Sequence, residues 1–195
     1  LTGGAIPAPW LEIHVQPAQR ATRQTFPVTA LAALTPGASI DHRGTTFTES
    51  LLNALLNALR DAASGHVRVG RSRFEAAIFE GQAEFETAIF EDHAGFGSVT
   101  FEREARFTGA TFERDAWFAS AIFESYAGFI SAALTGVATF DAATFKGVVT
   151  FDSATFKDES GFTGGDLRAR CLVRVGDLRA RSLVPVCDLR ARRYL

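Results

Sequence analysis

The chain has 195 residues, 47% of them hydrophobic, with 18 Phe, two Trp, two Tyr, two Cys and no Met. That length and apolar content suit one domain, or one domain with an appendage, and exclude wholesale disorder. No stretch approaches the roughly 18 consecutive apolar residues of a membrane-spanning helix, and two Cys supply neither a disulfide framework nor a four-ligand zinc site. The net charge is −2. The missing Met, the initiator included, is expected of a fragment or a processed chain, and no basic segment followed by an apolar run marks a secretory signal.

Residues 1–47 read as an irregular segment punctuated by Pro7, Pro9, Pro17, Pro27 and Pro36, with room for a short strand such as Leu11–Val15. Residues 48–66 read as a capping helix. Thr46 and Glu49 have the spacing of a capping box. Leu51, Leu52, Leu55, Leu56 and Leu59 form one apolar stripe at helical spacing, and Gly65 supplies a stop. The helix precedes a first rung near Val67 and Val69. It is expected to cover the N-terminal end of a stacked array that begins there, because the open end of such an array exposes its last side chains and an unpaired strand edge.

Residues 67–195 are repetitive. Sixteen of the 18 Phe lie between Phe74 and Phe162. One series, from Phe74 and Phe85 to Phe162, is spaced by 11, and a second runs from Phe79 and Phe90 to Phe156, also by 11, with Leu134 in one place. The series interleave with gaps of 5 and 6, and a small residue stands two before each ring, as at Ala77, Ala83, Ala88, Val99 and Ala116. The phase continues through three copies of Asp-Leu-Arg-Ala-Arg starting at Asp166, Asp177 and Asp188.

Gaps of 5 and 6 suit neither a helix nor a long strand. They suit short extended segments separated by corners, in which each ring and the small residue two before it point inward. Four segments close a square coil of 22 residues, so residue n stacks on residue n+22 at roughly the 4.8 Å spacing of neighbouring strands. A Phe-rich helical bundle would need rings at i, i+3, i+4 and i+7, which the spacing does not provide.

Segments such as Phe74–Phe96 and Phe107–Phe118 thus repeat A-x-F-x-x and A-x-F-x-x-x. In this they resemble the pentapeptide-repeat family. The resemblance covers about two thirds of the chain and implies an all-β solenoid, a right-handed quadrilateral β-helix, here with an N-terminal α-helical cap. One departure is that every second unit is six residues long, and the extra residue is expected to sit at a corner and loosen it.

The small net charge hides a polar division. Residues 1–73 carry 7 basic and 4 acidic residues, residues 74–165 carry 5 and 15, and residues 166–195 carry 8 and 3. The position after each second-series ring reads Glu80, Glu91, Glu102, Glu113, Glu124, then Thr135, Lys146, Lys157, Arg168, Arg179 and Arg190. Stacking by 22 puts Glu80, Glu102 and Glu124 in one column and Glu91 and Glu113 in another, on the opposite face. Carboxylates about 5 Å apart in water repel by only about 0.8 kcal/mol, so a fold tolerates such columns without a functional reason.

These Glu and Arg residues are the candidate interaction surface of a non-enzymatic scaffold or protein-interaction module. Self-association through the Arg-rich end is a further possibility for its use. The alternative from a separate class is a DNA mimic. Ten net negative charges over roughly 20 Å approach the density of duplex DNA, about one per 1.7 Å. The resemblance implies a type II topoisomerase such as gyrase as the target, though the basic end is not DNA-like. Nucleic acid is disfavoured as a partner, since no aromatic residues interleave with the arginines.

No catalytic, metal or cofactor residues are expected. His14, His42, His66 and His93 are far apart, the Asp92–His93 pair falls at a corner without a nucleophile, and no nucleotide-binding or zinc-protease motif occurs. Cys171 and Cys187 fall on small inward sites and read as buried free thiols. The outward Ile78, Thr100, Ile122 and Thr144 column reflects β-propensity rather than an ice-binding array. The expected compartment is cytoplasmic.

Overall fold

A computed structural model describes residues 31–164 and, beyond them, the backbone of three strands, Asp166–Leu167, Cys171–Leu172 and Asp177–Leu178. Each small-x-large unit makes a two-residue strand and then turns. The first elements are β1 (Ile40–Asp41), β2 (Thr46–Phe47), α1 (Glu49–Ala58), β3 (Arg68–Val69), β4 (Ser72–Arg73), β5 (Ile78–Phe79) and β6 (Ala83–Glu84). Further two-residue strands succeed them at the same rhythm.

The strands build four parallel sheets, three of six strands and one of five. β1 and β4 lie on the first face, β2 and β5 on the second, β6 on the third and β3 on the fourth. From β4 onward each strand pairs with the strand one coil later, as in Ser72↔Ala94, Ala94↔Ala116 and Ala116↔Ala138, an offset of 22. The result is a four-sided repeat solenoid.

Two kinds of corner close the square. The shorter corner, Phe74 to Phe79, is a turn in which Ala77 N–H donates to the Phe74 carbonyl at 2.9 Å. Ala76 adopts φ +57° there, the positive value that the third residue of a type II turn requires. The same place is taken by Thr87, Ser98, Gly109, Ser120, Ser131, Ala142, Ser153 and Gly164, all at positive φ. The longer corner bends through Glu80, Gly81 and Gln82 and is fastened to other coils: Glu80 N–H donates to the Phe47 carbonyl at 2.9 Å and Ala83 N–H to the Glu104 carbonyl at 2.8 Å. The extra residue therefore does not loosen the coil. Backbone bonds on both sides of it hold the 22-residue register through the array.

Inside, rings stack coil on coil. Phe79, Phe101, Phe123 and Phe145 form one column with centroids 4.7 to 4.9 Å apart. Phe74, Phe96, Phe118, Phe140 and Phe162 form another at 4.8 to 5.2 Å. Across the interior the rings meet edge to face, as in Phe118–Phe129 at 5.5 Å and 88°. Alanines such as Ala94, Ala105 and Ala116 fill the remaining space. Burying each ring contributes about 2–3 kcal/mol, and each favourable ring pair about 0.5–1.5 kcal/mol more, before conformational entropy is subtracted.

The first coil departs from the expected boundaries. Residues 40–47, placed by sequence in the irregular segment, already belong to the solenoid: β1 pairs with β4 and β2 with β5. His42 takes a ring position, 6.1 Å from Phe74 and stacked on it. Phe47 stacks on Phe79 at 5.0 Å. Thr45 N–H donates to the His42 carbonyl at 3.2 Å, with Gly44 at φ +65°, which is the shorter corner again.

The helix is also shorter than 48–66, spanning Glu49–Ala58. Its N-cap is Thr48, whose hydroxyl accepts from Leu51 N–H at 3.2 Å, while Thr46 is in β2 and makes no capping box. Gly65 lies in the turns after the helix rather than at its end. The helix does not precede the first coil but sits within it, between β2 and β3, and packs against β2 and β6. It thus stands on the third face, where the sheet has one strand fewer than the others. Leu51, Leu52, Leu55, Leu56 and Leu59 are buried in the common core.

Candidate interaction surface

With rings and small residues filling the interior, titratable groups are carried mainly at the corners and at the outward position of each strand. The sequence-identified columns form as expected. Glu102 N–H donates to the Phe79 carbonyl and Glu124 N–H to the Phe101 carbonyl, both at 2.9 Å, so Glu80, Glu102 and Glu124 stack at one longer corner. Glu91 and Glu113 stack at the other, directly after Phe90 and Phe112. Both columns end on a cation. Lys146 Nζ donates to Glu124 Oε1 at 2.7 Å, and Arg68 Nε donates to Glu91 Oε1 at 2.7 Å. Glu102 and Glu113 remain exposed. Arg168, Arg179 and Arg190 lie outside the described residues, as do Cys187 and the Leu11–Val15 segment, and of Cys171 only the backbone is described.

A second feature was not singled out in the sequence. On the first face the outward residues of successive strands are Asp41, Arg73, Gly95, Trp117 and Thr139. Gly95 leaves a gap in this column between Arg73 and Trp117. A hollow of about 200 Å³ opens there, lined by Arg71, Ser72, Arg73, Glu75, His93, Gly95 and Trp117. The Glu75 side chain lies across Gly95, where a Cβ would collide with its Oε1. Glu75 Oε2 is buried without a hydrogen-bond partner. Trp117 is 44% exposed, and His93 packs beside its indole with centroids 5.5 Å apart. The signal was present in the repeat, since the x of each A-x-F on this face reads Gly95, Trp117, Thr139.

The charges around the hollow divide into committed and uncommitted groups. Arg43 holds Asp41 through two bonds of 2.9 and 2.8 Å, and this pulls the Asp41 carboxyl below its ordinary pKa. Asp92 Oδ1 accepts from His93 N–H at 2.7 Å, the main reason its pKa is also lowered, with Arg71 and other positive charges adding to the effect. Asp115 Oδ1 accepts from Val137 N–H at 3.0 Å, and its Oδ2 lies 3.3 Å from His93 Nδ1. Arg71 and Arg73 make only looser contacts, 3.8 Å to Asp92 and 3.6 Å to Asp41, with side chains 47% and 43% exposed.

Among the described residues, no group of three or more His, Cys, Asp or Glu is placed to hold a metal ion, and no helix is long and apolar enough to cross a membrane. Fold and surface define a four-sided β-solenoid with a repeating aromatic interior and a charged exterior of mixed sign. In comparisons with known proteins, the chain matches no protein-family model, no curated protein and no solved structure.

Proposed function

We propose that the chain is a non-enzymatic scaffold of pentapeptide-repeat type that binds protein partners through the outside of its rod. The observation that carries this reading is the contrast between inward and outward positions of the same strands. Inward positions are nearly uniform Ala and Phe, whereas the outward position on the first face changes from Asp41 to Arg73, Gly95, Trp117 and Thr139. A constant frame carrying varied outward residues is how solenoids build extended binding surfaces. The test is affinity capture with the intact chain, then reconstitution with the purified partner. Saturable binding that outward substitutions weaken without changing the melt supports the reading. A captured partner that binds equally well to every outward variant removes it.

A second reading, a DNA-mimicking modulator of gyrase, draws on the stacked Glu80, Glu102 and Glu124 column and on Glu91 and Glu113. The ion pairs to Lys146 and Arg68 shorten both columns, which is why it stands second. Inhibition or protection in a supercoiling assay with purified gyrase would promote it. No effect at tens of micromolar would remove it.

A further inference from the structure

We infer that the hollow over Gly95 is a docking site for an acidic segment of a partner protein, one that presents a carboxylate beside an apolar or aromatic side chain. This rests on the interaction-module reading and names the surface and the chemistry it selects. Of the carboxylates near the hollow, Asp41 is committed to Arg43, Asp92 to the His93 backbone, Asp115 to the Val137 backbone and Glu91 to Arg68, while Glu75, in the lining itself, has an Oε2 without a hydrogen-bond partner. The guanidinium groups of Arg43 and Arg68 are likewise committed.

Arg71 and Arg73 are held more loosely. Each forms an exposed ion pair, with Asp92 at 3.8 Å and with Asp41 at 3.6 Å, beyond hydrogen-bond length, and both line the hollow. Planar guanidinium donors of this kind match a carboxylate bidentately. The wall one strand beyond Gly95 is the exposed indole of Trp117, steadied by His93. Trp and Arg are the residue types that most often carry binding energy at interfaces, because each combines a large contact area with directed polar groups. A hollow of about 200 Å³ is smaller than the roughly 300–1,000 Å³ of pockets for drug-sized ligands, and so fits a side chain or two rather than a whole small molecule.

Glu75 sets the polarity within the hollow. Its carboxylate lies over Gly95, so an incoming carboxylate is directed to the side of Arg71 and Arg73 and the apolar group to the indole. The net negative charge of residues 74–165 opposes long-range attraction of an acidic segment. Recognition is therefore short-range, dependent on direct guanidinium contact and weakened by salt.

The test uses the full chain and an acetylated, amidated synthetic peptide carrying Glu and then Phe in a Gly-Ser background, titrated by calorimetry and by the Trp117 indole N–H resonance. The expected result is saturable binding with a Kd of roughly 1 mM or tighter, accompanied by a shift of the Trp117 signal. Trp117→Ala, Arg71→Gln and Arg73→Gln each weaken it by about tenfold or more. Glu75→Gln, which removes a like charge, strengthens it by about threefold. Glu102→Gln, remote on a longer corner, leaves it unchanged.

Equal binding of the Gln-Phe or Lys-Phe peptide overturns the inference, as does an unaffected Trp117→Ala variant or no saturation. Concentration-dependent sedimentation abolished by Trp117→Ala overturns it too, because the occupant is then a second copy of the chain. Failure here is distinguishable from failure of the wider reading. A reconstituted partner that binds wild type and Trp117→Ala alike leaves the module and removes the hollow. Peptide binding in the hollow with no protein partner leaves the hollow and removes the module.

Discussion

The body of the solenoid, residues 72–164, and its first coil, residues 40–69, solve the same problem in different ways. In the body, every face of every coil is a two-residue strand and the interior is stacked rings. Among the described residues, no coil precedes the first one to pair with it. It keeps strands on the first, second and fourth faces, puts α1 on the third, and lines its interior with Leu51, Leu52, Leu55, Leu56 and Leu59. Body strands rely on neighbours above and below for hydrogen bonds. A helix satisfies its own backbone and still offers an apolar stripe to the core, so it can close an edge that a strand would leave open. The body is set by repetition, whereas the end is set by a change of secondary structure that keeps the same inward chemistry.

Breaking the end should have the largest effect. Leu55→Glu puts an unpaired carboxylate among buried leucines and should cost about 4 kcal/mol or more. The melting temperature of the whole rod should fall, and an unchanged thermal melt would show that α1 does not support the array. In the body, Phe118→Ala should cost about 3–5 kcal/mol, read by chemical denaturation. It removes a ring stacked on both Phe96 and Phe140 at 4.9 Å.

His42 distinguishes the two regions by pH. It is only 9% exposed among Phe47 and Phe74, and burial pushes its pKa down from 6.5 to about 4. The unfolded chain therefore takes up a proton before the folded one does. Stability should be intact above about pH 6.5 and should fall as pH drops from there through about 4, by a total on the order of 3 kcal/mol. His42→Phe should remove that part of the pH dependence, measured as denaturation midpoints against pH. A midpoint curve identical in wild type and variant would contradict the buried neutral His.

The smallest effect concerns the shorter corners. Thr87 is a β-branched residue held at φ +55°, while the next coil has Gly109 at the same corner. Thr87→Gly should stabilise the body by up to about 1 kcal/mol, because the relief of left-handed strain exceeds the entropy glycine adds to the unfolded chain. A lowered melting temperature would show that the side chain supplies a contact worth more than the strain.

The body was legible in the sequence because its signal is redundant. Rings at 11-residue spacing, each with a small residue two before it, admit one inward direction and one coil length. The first coil was hidden for two physical reasons. His42 and Thr45 replace a ring and an Ala, and the helical insertion moves the pairing offset to 32, as in Thr46↔Ile78, instead of 22. The amphipathic stripe of α1 was readable, but its cap was not, since Thr46 and Thr48 both precede Glu49 and only the pairing of Thr46 in β2 decides between them. Of the surface, the Glu columns came from the period alone. The hollow did not, because it depends on a missing side chain at Gly95 and on which of the nearby charged groups already hold partners.

If a 22-residue coil is the unit of the fold, the rod should survive the loss of one whole coil but not of part of one. Removing residues 94–115 takes out one whole coil and joins Ala116 where Ala94 stood, register mates in the sheet. Removing residues 94–110 cuts the coil part-way and breaks the alternation of corners. The thermal melt of the first variant, monitored by circular dichroism, should remain a cooperative β transition at a somewhat lower temperature. The second should lose the transition. Equal melts for the two deletions would show that the 22-residue coil is not the unit of the fold.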